Sequence, residues 1–119
     1  MPGIYVHEAT VLMDPGSGTG APGAAITAAL CGSWQHPPPC PLAAHHTAVQ
    51  RDGETVTLRT IFAADPRREG EVRRRIDGAL ARGSQAGPDG TVFRWTLVAA
   101  QAGELTAAER EHGRRIAGT

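Results

Sequence analysis

Lysine is missing altogether: all twelve basic residues of this 119-residue chain are arginine. Schiff-base and lysine general-base chemistry are thereby excluded. Net charge is missing too, because twelve acidic residues balance the arginines. A chain with no overall field has little to draw it to duplex nucleic acid or to an anionic membrane surface, so neither partner is expected. Aromatic residues are scarce at 4%, which leaves a core of Ile, Val, Leu and Ala around a few large rings. No apolar run approaches the ~18 residues of a membrane span. The opening MPGIYVHEATVLMDPG lacks the basic-then-apolar order of a secretory signal. The expected compartment is therefore cytoplasmic, where the two cysteines act as thiols or ligands rather than as a disulfide.

No repeat, heptad or long linker divides the chain, and its length suits one core, so residues 1–119 are read as a single α+β domain. Ile4 to Met13 is rich in β-branched and apolar residues and closes at Asp14-Pro15-Gly16, as a strand would. Gly16 to Gly23 (GSGTGAPG) reads as a loop. No GK[ST] follows it, so nothing there indicates a phosphate cradle. In Ala24 to Cys31, strand and helix compete; the alternation of Ile26, Ala28 and Leu30 favours a strand.

HHTAVQRDGETVTLRTIF reads as a hairpin turning at Asp52-Gly53. That turn pairs Val49 with Val56 and Thr47 with Leu58. It places His45 on the Val49/Val56/Leu58 face and His46 on the other. The same alternation sends His7 and Glu8 of the first strand to opposite faces, so they do not pair with each other.

Asp65-Pro66 has the N-cap and first-turn chemistry of a helix start, Val72, Ile76, Ala79 and Leu80 form its apolar stripe, and Gly83 stops it. Five arginines lie between Arg67 and Arg75, but Glu69/Arg73 and Glu71/Arg75 are spaced for ion pairing, which predicts a solvated face. Gly83 to Gly90 reads as a loop and Thr91 to Ala99 as one alternating strand with Trp95 in the core. Thr106-x-x-Glu109 is a capping box that opens a last helix running to about Ile116. His112 on that helix reads as solvent-facing.

The expected fold is α+β, an antiparallel or mixed sheet of about four to five strands with one helix packed on a face. The C-terminal helix would lie against the same face or at an edge. The expected core is Val49, Val56, Leu58, Phe62, Phe93, Trp95 and Leu97 with Ile76 and Leu80. A core this thin leaves room for a homodimer.

The chemistry gathers in Cys31 to His46, CGSWQHPPPCPLAAHH, which holds both cysteines, three of the five histidines and four of the nine prolines. Cys31, His36, Cys40 and His45 make two thiols and two imidazoles, a set suited to Zn, and also to Cu. A polyproline II run from His36 to Cys40 would hold those two backbones ~12 Å apart, unless a cis X-Pro bond or a turn intervenes. Without metal, Cys40 is a candidate nucleophile and His45 a candidate general base. The function expected is thus a metal-assisted enzyme or a metal- or small-ligand-binding domain. The alternative is a non-catalytic interaction domain that presents Trp34 and Pro37–Pro39 to a protein partner.

Overall fold

The first strand reads as expected and becomes the centre of the sheet. A computed structural model describes residues 3–31, 43–87 and 89–117, with the side chain of Cys31 not included. In it β1 (Gly3–Leu12) is followed by α1 (Gly20–Cys31), β2 (Ala44–Asp52) and β3 (Thr55–Ala64). A 3₁₀ turn (Pro66–Arg68) leads into α2 (Glu69–Ala81), and then come β4 (Ser84–Ala86), β5 (Val92–Arg94), β6 (Thr96–Gly103) and α3 (Ala107–Ile116). Four strands form one antiparallel sheet in the order β2-β3-β1-β6, and β4 pairs with β5 in a separate ribbon. β1 and β2 are parallel with β3 between them, and β3 and β6 are parallel with β1 between them. These are two interleaved βαβ units, the ferredoxin-like split βαβ connectivity, with a ribbon inserted after α2 and a helix appended.

Segment 24–31 corrects the sequence reading: it is helix, not strand. Ile26 and Leu30 are four apart as well as alternating, and with Ala21, Pro22 and Ala25 they form one buried stripe. Alanine favours the helix intrinsically, and Pro22 sits in the first turn, where a missing N–H is harmless. The loop before it accordingly ends at Thr19 rather than Gly23.

The hairpin forms, but it turns at Gly53-Glu54, one residue later than expected. Asp52 pairs with Thr55 and Val49 with Leu58, and Gly53 has φ +62°. Glycine at the first central position is the II′ solution. The offset moves each partner by two residues, so the facing of every side chain survives. His45 lies opposite Phe62 and His46 opposite Ile61, on opposite faces as expected.

Both α1 and α2 cover the face that carries Ala9, Val11, Val56, Leu58 and Phe62, here called the inner face. Ile26 and Leu30 from α1, and Val72, Ile76 and Leu80 from α2, complete this core. Each such fully buried aliphatic side chain contributes roughly 1.5–3 kcal/mol. Val49 leaves the expected core, since on the edge strand β2 it is 38% exposed.

Two further corrections follow from tertiary contacts. The 83–90 segment contains β4, and the expected strand 91–99 breaks at Trp95 into β5 and β6. Trp95 donates its backbone N–H to the Gly83 carbonyl (3.0 Å) and its ring N–H to the Leu80 carbonyl (2.8 Å). Those bonds take it out of the ladder and bury it, so the expectation that it belongs to the core holds.

The C-terminal helix does not share the inner face. α3 begins at Thr106 with the expected capping box but lies on the outer face, where Gly113 sits against Ile4 and Glu109 meets Arg59. Val6 and Ile61 are buried on that side.

Candidate functional site

His45 stands at the start of β2, and β2 is an edge strand, so its ring reaches from the inner face toward α1. Its Nδ1 lies 3.1 Å from the Ala43 carbonyl oxygen, which can only accept. In the neutral ring the proton therefore sits on Nδ1, and Nε2 is the acceptor. The Thr27 hydroxyl of α1, 3.0 Å from Nε2, then donates to it. Hydroxyl, imidazole and an orienting acceptor in line have the connectivity of a nucleophile–base–orienter relay.

The pair opens on a cavity of about 320 Å³ lined by Gly20, Gly23, Thr27, His45, His46 and Thr47 among others. Burial lowers the His45 pKa below its usual 6.5; the Ala43 carbonyl partly opposes this, and the nearby His46 adds to it. A neutral ring near pH 7 can accept a proton or offer a lone pair. We expect the His45 Cε1–H resonance to titrate with a midpoint below 6.5, and a midpoint at or above 6.5 would contradict the burial of the ring. By linkage, His45 supports stability above the unfolded-state value near 6.5, and that contribution is lost as pH falls through the lower folded-state value.

Of the four candidate ligands, only His45 has its side chain within the described residues. Cys31 is the last residue of α1, one turn beyond Thr27, while His36, Cys40, Trp34 and Pro37–Pro39 lie outside the described residues. Among the described residues, no group of three or more His, Cys, Asp or Glu side chains is placed to hold a metal ion. Thr27 was not legible as a site residue, because the strand reading of 24–31 hid its helical spacing to Cys31.

The other described histidines, His7, His46 and His112, make contacts of their own. His46 stacks on His112 of α3 at 4.5 Å between ring centroids, so His112 is half-buried rather than free in solvent. His7 is buried beneath α2, its Nε2 2.6 Å from Asp77 Oδ1. Arg73 donates to His7 Nδ1 (3.1 Å), which puts the ring proton on Nε2, and also to the Val6 carbonyl (2.8 Å). Glu8 turns the other way, to Arg59, so His7 and Glu8 do not pair, as alternation requires. The arginine-rich face of α2 is ion-paired as expected, through Arg68–Glu71, Arg73–Glu69 and Arg75–Glu71.

Compared with protein-family models, with curated proteins and with solved structures, the chain finds no match. Among the described residues no helix is long and apolar enough to cross a membrane. Any functional reading therefore rests on the geometry at Thr27 and His45, since a shared fold does not imply a shared activity.

Proposed function

We propose that the protein is a small-ligand-binding domain with acid–base chemistry centred on His45. The observation that carries this reading is the Ala43 carbonyl–His45–Thr27 relay at the wall of a cavity. His45 acts as general base, and the Thr27 hydroxyl, whose single proton points at Nε2, either accepts a hydrogen bond from the bound molecule or attacks its acyl carbon. In the attack the proton passes to Nε2 and on to the departing group, and water then releases the acyl-threonine. The bond to Ala43 fixes the tautomer, as the third member of such a relay does.

The test is hydrolysis of p-nitrophenyl acetate by the whole chain. We expect a rate above background that falls at least tenfold in His45→Ala, with Thr27→Val separating the two roles of Thr27. A comparable fall in Thr27→Val marks a nucleophile, and a small one marks a positioning hydroxyl. A rate unchanged by His45→Ala would sink the reading.

The same bond supports a second reading. A histidine whose Nδ1–H is held by a backbone carbonyl presents Nε2 as a metal ligand commonly does. His45 would then join Cys31, His36 and Cys40 around Zn or Cu. Metal analysis of untagged protein tests it: stoichiometric metal that disappears in Cys40→Ser supports the set, and metal content unchanged by that substitution removes it.

A further inference from the structure

A second cavity, about 310 Å³, lies on the other flank of the first turn of α1, between it and the β4–β5 ribbon. Its walls include Ala21, Ala24, Ala86 and Phe93, and among the described lining residues the one polar side chain, Gln85, is uncharged. The two cavities have Gly20 as a common lining residue. A Cβ added to Gly20 would meet no atom of the described residues within 4 Å, so none of them blocks the space above the shared residue. Along α1, Gly20, Ala24 and Thr27 follow at helical spacing, which leads from the apolar slot to the hydroxyl beside His45.

From this layout we infer that the Phe93 slot is the apolar subsite of the His45 site, so the ligand is an amphipathic small molecule. A short aliphatic chain or a ring lies on Phe93, and a carbonyl-bearing head group crosses Gly20 to reach Thr27 and His45. The inference rests on the reading of His45 as the functional centre and adds the substrate class to it. The chemistry of the walls supports the division. Among the described lining residues, one slot offers carbon surface and no charge, and the other offers Thr19, Thr27 and Thr47 together with the His45 imidazole. Ligand sites commonly pair an apolar body with a few convergent polar groups in this way, and about 630 Å³ for the two together falls within their usual size.

The experiment compares acetamide with hexanamide on the ¹⁵N-labelled full chain, read as amide shift changes. Hexanamide should bind at least tenfold more tightly, because its extra methylenes leave water, and should move the amides of both Thr27 and Phe93. Acetamide should move only those around Thr27 and His45. Phe93→Ala should remove most of the difference. So should Ala86→Phe, which fills the slot from an exposed position and does not touch the core. His45→Ala should weaken both amides. Equal affinities that neither slot variant alters would overturn the subsite and leave the His45 site standing. Hexanamide held at Phe93 with the same affinity in His45→Ala would separate the two cavities, overturning their union and telling against the His45 reading. Failure of both amides to bind at tens of millimolar would overturn the inference and the ligand-binding reading together.

Discussion

Replacing Arg59 with Leu should release α3 from the sheet and lower stability by about 2–3 kcal/mol at neutral pH. Arg59 donates from Nε and Nη2 to the two oxygens of Glu109 (2.8 and 2.9 Å), a bidentate pair between β3 and α3. Its Nη1 is bonded to Glu8 of β1, and Nη2 also reaches the Glu104 carbonyl (2.8 Å). One guanidinium therefore ties two strands, the helix and the loop before the helix. The pair is partly screened from water, with the Glu109 side chain 15% exposed, so it is stronger than an open surface bridge. Without Arg59 the two carboxylates face each other with no cation between them. Amide exchange in α3 should accelerate roughly 30- to 150-fold, since each 1.4 kcal/mol is a factor of ten.

The same substitution predicts a pH signature. Hydrogen bonding from Arg59 first, and then from the Thr106 backbone, holds the Glu109 carboxyl down at about 2, from an ordinary 4.5. A carboxyl lowered on folding adds stability that is complete above about 4.5 and is lost as pH falls toward 2. Arg59→Leu removes the cause of the lowering, so the variant should lack this acid-limb loss. The gap between the two proteins should narrow steadily from pH 5 to pH 2, measured by urea unfolding at each pH. A gap constant over that range would show that Arg59 acts through packing alone.

What the sequence made legible was local. The Asp65 cap, the stripe Val72-Ile76-Ala79-Leu80 and the Thr106/Glu109 box each lie within a few residues, and each forms as read. α1 was missed because alternation and helical spacing share Ile26 and Leu30, and only contact with α2 and the sheet decides between them. The break at Trp95 depends on carbonyls of Leu80 and Gly83, which no spacing within 91–99 reveals. The side taken by α3 is set by Arg59 and Ile4, about 50 and 109 residues away in sequence. At the site, the opposite facing of His45 and His46 was readable from alternation alone. The partner Thr27 was not, because it comes from the element whose type was misread.

Two glycines on helices should respond to alanine with opposite signs, and the contrast tests how closely α3 is seated. Gly78 of α2 is exposed, and a Cβ there would meet no atom of the described residues within 4 Å. Gly78→Ala should therefore show the intrinsic helix preference and stabilise by about 0.5–1 kcal/mol. Gly113 of α3 is buried, and its Cβ would fall 2.2 Å from Cγ2 of Ile4. Ile4 is β-branched and stiff at χ1, so its methyl has little freedom to swing away, and the helix must lift instead. Gly113→Ala should then destabilise by about 1–3 kcal/mol in spite of the same propensity gain, the range for overpacked sites. Lifting α3 would also part the His46–His112 stack and loosen the Arg59–Glu109 pair, so the loss should not add to that of Arg59→Leu. Ile4→Ala in the Gly113→Ala background supplies the decisive control. If the small pair recovers stability relative to Gly113→Ala alone, the clash is the cause. If Gly113→Ala is neutral or stabilising by itself, α3 does not sit on β1 at this distance.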